Sequence, residues 1–84
     1  MNKPNDLEYE QLDPVLGQLV REHQDKVVSW IKGEPGAWGH LAGQGVTAVR
    51  RHLGRSLTDP ERRLVWHRLW WFLEQLKAQL LEPG

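Results

Sequence analysis

The residues with the clearest binding chemistry are six arginines that lie between positions 50 and 68 of the 84-residue chain. Only two acidic residues, Asp59 and Glu61, accompany them in that stretch. A guanidinium group can form two parallel hydrogen bonds to a phosphate or a carboxylate. The pattern therefore predicts a contact surface for an anionic partner, made of Arg50, Arg51, Arg55, Arg62, Arg63 and Arg68.

The charge distribution leaves a second interpretation open. The net charge is zero, but residues 1–34 contain seven acids and four bases, and residues 35–84 contain seven bases and four acids. Opposite charges on the two halves can attract each other inside a single fold. The arginines are then explained either by internal pairing or by an external partner.

No catalytic or metal-binding arrangement is recognisable. The four histidines (His23, His40, His52, His67) lack the spacing of zinc ligands, and the glycines match neither a phosphate-binding loop nor a dinucleotide fingerprint. A chain of this length also has little room for a preformed pocket. We therefore expect no enzyme activity, no cofactor and no metal.

Turn and capping residues divide the chain into three main helices. Asp13-Pro14 predicts the start of the first, which Gly33 ends. Glu34-Pro35-Gly36 interrupts the helical pattern and precedes a second predicted helix, which ends at Gly54. Thr58, Asp59, Pro60 and Glu61 form a capping box for a third helix that continues to about Leu81. The fold class is all-α, a small bundle with residues 13–84 as one domain, and residues 1–12 form either a short helix or a loose segment.

The second helix carries glycines at its start and in its interior. Gly36, Gly39 and Gly43 form a smooth stripe opposite the apolar face, continued by Arg50. Each interior glycine costs about 1 kcal/mol relative to alanine, so the stripe predicts a close approach to the helix backbone. The approaching group is either a neighbouring helix or a phosphodiester backbone.

The third helix is apolar on two sides. Leu64 and Trp71 lie off its main core face, beside Arg68. This second stripe is explained by an additional packed segment, by a second copy of the protein or by another partner. An exposed Trp71 would stack on a base, fill a protein pocket or seal a dimer.

Cellular setting follows from what the sequence lacks. There is no cysteine, no apolar signal segment at the start, and no apolar run of the roughly 20 residues that span a bilayer. We expect a cytoplasmic protein that does not associate with membranes.

One stretch resembles a known family. Gly33, Ala37, Gly39, Leu41, Gly43 and Gln44 match the spacing of a glycine-rich motif in the helical tail domain of the B subunit of tRNA-dependent amidotransferases and in YqeY-like proteins. Gly54-Arg55 and Asp59-Pro60 are similar to later elements of that pattern, so the resemblance covers about residues 24–80. It implies a helical module of the kind that contacts tRNA, with Arg50 at a basic family position, and no enzyme activity.

Two functional hypotheses follow. The first is a non-catalytic helical module whose arginine-rich surface contacts structured RNA such as tRNA, with binding that weakens steeply as salt rises. The second is a protein–protein adaptor or homodimer that uses the tryptophan-rich third helix, with Leu64 and Trp71 at its centre and without that salt dependence. The sequence does not identify the partner, the pathway or the oligomeric state.

Overall fold

The structure is a computed structural model that describes the backbone of residues 7–81 and the side chains of residues 7–80. It is all-helical in this range, as the sequence predicts, and contains no strand there. Four helices follow one another along the chain: α1 (Tyr9–Glu22), α2 (Gln24–Ile31), α3 (Ala37–Leu53) and α4 (Asp59–Leu81).

A single apolar core holds the helices together. α3 packs against each of the other three helices. Its side chains Leu41 and Val49 are almost fully buried, because they recur on one face of the helix. The other side chains with almost no exposure come from α1 and α4: Leu12, Leu16, Val65, Leu69 and Leu73.

The predicted start of the first helix is wrong. α1 begins at Tyr9, preceded by Glu8, whose backbone N–H donates a 3.0 Å hydrogen bond to Oε1 of Gln11. Pro14 consequently lies inside the helix, where it has no N–H to donate to the carbonyl of Glu10. Both residues are exposed, so water can solvate that carbonyl. The predicted short N-terminal helix is thus the first turn of α1, although residues 1–6 lie outside the described range.

The segment that the sequence predicts as the first helix forms two helices in the structure. His23 separates α1 from α2 and has non-helical backbone angles, φ −121° and ψ 43°. Its Nδ1–H donates to the carbonyl of Leu19 at 3.1 Å, which gives the helix end a side-chain donor. The apolar period continues through this position, from Val20 to the buried Val27, so periodicity could not reveal the break.

The connections around α3 agree with the sequence. Gly33, Gly36 and Gly54 have positive φ angles of 79°, 84° and 72°, which glycine adopts without strain. The predicted capping box at the start of α4 is present. Thr58 N–H donates to Glu61 Oε1 at 2.9 Å, and Glu61 N–H donates to Thr58 Oγ1 at 3.3 Å.

α3 and α4 are antiparallel neighbours, and two contacts fix their register. Nε1–H of Trp66 donates to the carbonyl of Ala42 at 3.2 Å. One turn further along α4, the ring of Trp70 meets the ring of Trp38 edge to face, with centroids 5.1 Å apart. Each step forward in α4 is therefore matched by a step backward in α3.

Candidate functional site

Three of the six arginines are used inside the fold. Arg55 makes two hydrogen bonds to Glu61, of 2.9 and 2.7 Å. Arg62 pairs with Asp59 and also donates to the carbonyl of Leu57 at 3.0 Å. Arg68 makes the third internal pair, with Asp13. Only the pair of Arg68 with Asp13 joins the oppositely charged halves of the chain, whereas the pairs of Arg55 and Arg62 lie within residues 55–62.

The pair between Arg55 and Glu61 changes the titration of both groups. Hydrogen bonds from Arg55 and from the backbone N–H of Thr58 lower the pKa of Glu61 to about 2. The hydrogen bond with Glu61 in turn raises the pKa of Arg55. Glu61 therefore stays charged at neutral pH, fixed at the start of α4 where an anion is also favoured by the helix dipole.

The predicted Arg68–Trp71 element is built into the fold. The guanidinium carbon of Arg68 lies 3.9 Å from the ring centroid of Trp71 and 4.3 Å from that of Tyr9. Trp71 is 42% exposed, but one of its ring faces is occupied by this cation. Leu64 is half-buried against the core. Binding of a partner at Arg68 and Trp71 stays a prediction, and it would have to displace or cover these contacts.

The other three arginines, Arg50, Arg51 and Arg63, are exposed. Within the described residues, none of them makes an ion pair or a side-chain hydrogen bond. Arg51 and the adjacent Ala48 line a depression shared with Val15 and Glu22, which places Arg51 on the side of α3 that faces α1. Arg50 precedes Arg51 by one residue, which places it about 100° away around the helix, outside that depression and on the side toward α4.

The glycine stripe of α3 is open. A Cβ atom built on Gly36, Gly39 or Gly43 meets nothing within 4 Å among the described residues. The close approach inside the fold occurs at Gly45 instead, where a Cβ would lie 3.3 Å from Leu69 Cδ2 and 3.5 Å from a methyl carbon of Val65. Packing against another helix within the described range therefore does not explain the stripe, and approach by a partner stays a prediction.

Two tryptophans of α4 lie beside the glycine stripe of α3. Trp66 is 37% exposed and Trp70 is 44% exposed. Trp66 contacts Ala42 and Trp70 contacts Trp38, the residues that directly precede Gly43 and Gly39 in α3. Arg63 precedes Trp66 by one turn on the same side of α4. The helical wheel could have shown this grouping, but only the register reveals that it adjoins the stripe.

We call this region the α3–α4 face. It consists of Gly39, Gly43, Arg50, Arg63, Trp66 and Trp70. It combines exposed indole rings, open helix backbone and two cations that have no ion-pair partner among residues 7–80. These groups can contact aromatic rings, apolar groups and anions, and the face holds no nucleophile paired with a base.

Depressions elsewhere on the surface offer less chemistry. One open depression of about 670 Å³ is lined by residues that include Leu7, Glu8, Arg55, Glu61 and Leu64, and Arg55 and Glu61 bind each other there. Among the described residues, no group of three or more histidine, cysteine, aspartate or glutamate side chains is placed to hold a metal ion. Nor does this range contain a helix with the length and apolar character needed to cross a membrane.

Comparison of the chain with protein-family models, with curated proteins and with solved structures found no match.

Proposed function

We propose that this protein is a non-catalytic binding module that holds structured RNA, such as tRNA, against the α3–α4 face. The observation that carries the proposal is the open glycine stripe beside two exposed arginines that have no ion-pair partner within residues 7–80. The family resemblance of the glycine-rich segment points to the same class of ligand.

The cost of the glycines is the first step of the argument. Gly39 and Gly43 lie inside α3, and each destabilises the helix by about 1 kcal/mol relative to alanine. No described side chain lies so close that a methyl group at either position would clash with it. A partner that packs closely against the helix backbone is a reason for glycine at these positions.

The charges of the face favour an anionic partner. Arg50 belongs to the last turn of α3, a helix whose sequence contains no acidic residue. Arg63 lies in the first half of α4, and the nearest acids in that helix, Asp59 and Glu61, are both paired with other arginines. The guanidinium groups of Arg50 and Arg63 are therefore available for phosphate oxygens.

The test compares two neighbouring substitutions, Arg50→Ala and Arg51→Ala. Both remove one exposed cation from the last turn of α3, so their effects on net charge and on the helix dipole are matched. Purified protein is titrated with labelled bulk tRNA at about 50 and about 200 mM salt. We expect Arg50→Ala to weaken binding and to reduce its salt dependence, and Arg51→Ala to change neither appreciably.

Two results would contradict the proposal. Absence of tRNA binding at the lower salt concentration would exclude it. Equal losses in the two variants would remove the α3–α4 face as the binding surface, because only Arg50 points toward it.

A protein partner is the second candidate function, and one observation favours it. Half of the arginine cluster is neutralised internally, while Trp66 and Trp70 expose more than a third of their surface. Tryptophan and arginine are enriched among residues that dominate protein interfaces. Sedimentation at increasing concentration tests the homodimer form of this proposal. A constant monomer mass would exclude self-association, and a Trp70→Ala variant that loses a dimer would locate it on this face.

A further inference from the structure

We infer that the RNA bound by this protein is recognised through unpaired bases, which stack on Trp66 and Trp70 while Arg50 and Arg63 contact the flanking phosphates. The inference rests on the proposed function and specifies its ligand. Its evidence is the exposure and spacing of the two tryptophans, the contacts that hold their rings, and the position of Arg50 and Arg63, which have no ion-pair partner among the described residues.

The two rings are held in place before any ligand arrives. Trp66 is oriented by the hydrogen bond from its Nε1–H to the carbonyl of Ala42. Trp70 is held by edge-to-face contacts with Trp30 and Trp38, each with centroids 5.1 Å apart and interplanar angles of 87° and 82°. As whole residues, Trp66 and Trp70 remain 37% and 44% exposed. A ring that is already fixed loses little conformational entropy when a base stacks on it.

The spacing of the rings suits successive nucleotides of one strand. Trp66 and Trp70 are four residues apart in α4, so their Cα atoms are separated by about 6 Å along the helix axis and lie on the same side. Arg63 continues this side toward the start of α4. Arg50 flanks it from the end of α3. A strand that runs along α4 would therefore meet cations at one end and aromatic rings further along.

A continuous duplex does not match this arrangement. In A-form RNA the bases are stacked on one another and present only their edges and the backbone. An indole ring needs an accessible base face, which single strands, loops and bulges supply. Preference for unpaired bases thus distinguishes stacking on Trp66 and Trp70 from simple attraction to phosphate.

The experiment measures binding of two fluorescent RNAs with equal numbers of phosphates, a single strand of about 12 nucleotides without internal pairing and a blunt duplex. The substitutions are Trp70→Leu and Trp66→Leu, which keep an apolar side chain but remove the ring. Trp71→Leu tests the competing prediction from the sequence that a base stacks at Trp71, which has similar exposure, 42% against 44% for Trp70, but stands against Arg68 outside the face. Circular dichroism confirms that each variant is helical.

We expect the single strand to bind more tightly than the duplex and to quench tryptophan fluorescence. Trp70→Leu or Trp66→Leu should weaken single-strand binding roughly tenfold, with little change for the duplex, and Trp71→Leu should change neither. Equal affinity for the two RNAs, or equal losses in Trp70→Leu and Trp71→Leu, would overturn the inference while the proposed function stands. Absence of binding to either of these RNAs and to tRNA would overturn both.

If a variant is not helical, the affinities of the wild-type protein for the two RNAs still test the inference, because this comparison needs no substitution. The wild-type protein must prefer the single strand and must lose tryptophan fluorescence on binding it. Duplex preference would overturn the inference without any variant.

Discussion

Arg68 of α4 and Asp13 of α1 are joined by two hydrogen bonds of 2.8 and 2.9 Å, although they are 55 positions apart in the sequence. The hydrogen bond from Arg68 lowers the pKa of Asp13, so the carboxylate is charged at neutral pH. The same guanidinium stacks between Tyr9 and Trp71. This group of contacts connects the start of the first helix to the middle of the last.

Breaking this connection should destabilise the protein. We expect Asp13→Asn to lower the midpoint of thermal unfolding at neutral pH, since the amide cannot attract Arg68 as the carboxylate does. Glu10→Gln is the control, because it removes one negative charge from an exposed position of the same helix. Circular dichroism during heating measures both. A larger effect of Glu10→Gln would show that net charge, rather than the ion pair, is responsible.

Acid should weaken the fold through Glu61. Its pKa is lowered from 4.5 to about 2 by Arg55 and Thr58, so the folded state favours the charged form. The resulting stabilisation is fully present above pH 4.5 and is lost as the pH falls from 4.5 through about 2.

We expect the free energy of unfolding, measured by urea titration, to decrease over that pH range. In Glu61→Gln the decrease should be smaller, because a neutral amide does not titrate. If the free energy of unfolding fell with pH as much in Glu61→Gln as in the wild-type protein, Glu61 would not contribute through its charge.

Two glycines of α3 should respond differently to alanine. Gly43→Ala places a methyl group in open space within the helix, so it should stabilise the protein by up to about 1 kcal/mol. Gly45→Ala places its methyl group 3.3 Å from Leu69 Cδ2 in the core, and the crowding should offset or exceed the same gain in helix propensity. Urea unfolding measures both. A greater gain at Gly45 than at Gly43 would contradict the packing described above.

The core should depend strongly on Leu41. Its side chain has no exposed surface, so Leu41→Ala should lower the free energy of unfolding by about 2–5 kcal/mol. This loss is a large part of the stability of a small domain. Leu80→Ala is the comparison, since Leu80 is 66% exposed and the change should stay within about 0.5 kcal/mol. Equal losses of unfolding free energy in Leu41→Ala and Leu80→Ala would show that Leu80 is buried in solution by contacts outside this chain.

Local signals predicted part of this fold well. Gly54 and the capping box from Thr58 to Glu61 act through bonds between residues a few positions apart, and both helix boundaries follow from them. Asp13 was misread for the opposite reason. An aspartate before a proline is typical of a helix start, but the carboxylate of Asp13 binds Arg68 in a distant part of the chain. Sequence spacing cannot show such a partner.

The candidate site was predictable only in part. The exposure of Arg50 and of the glycine stripe follows from helical periodicity, because both lie opposite the apolar side of α3. The position of Trp66 and Trp70 beside that stripe depends on how α3 and α4 are aligned, which the hydrogen bond between Trp66 and Ala42 fixes. The pairing of Arg68 with Asp13 has the same non-local origin, so the sequence could not show which arginines pair within the fold.

The internal pairing of Arg55, Arg62 and Arg68 determines how many counterions an RNA ligand would release. If only Arg50 and Arg63 replace ions around a single strand, the logarithm of the binding constant falls with the logarithm of salt with a slope of about −1.4. All six arginines would give a slope of about −4.2. Between about 50 and 200 mM salt, the first case reduces affinity about sevenfold and the second several hundredfold. Under the proposed function, the internal ion pairs would therefore make RNA binding less sensitive to salt than the sequence predicts, and the measured slope would report how many arginines reach the ligand.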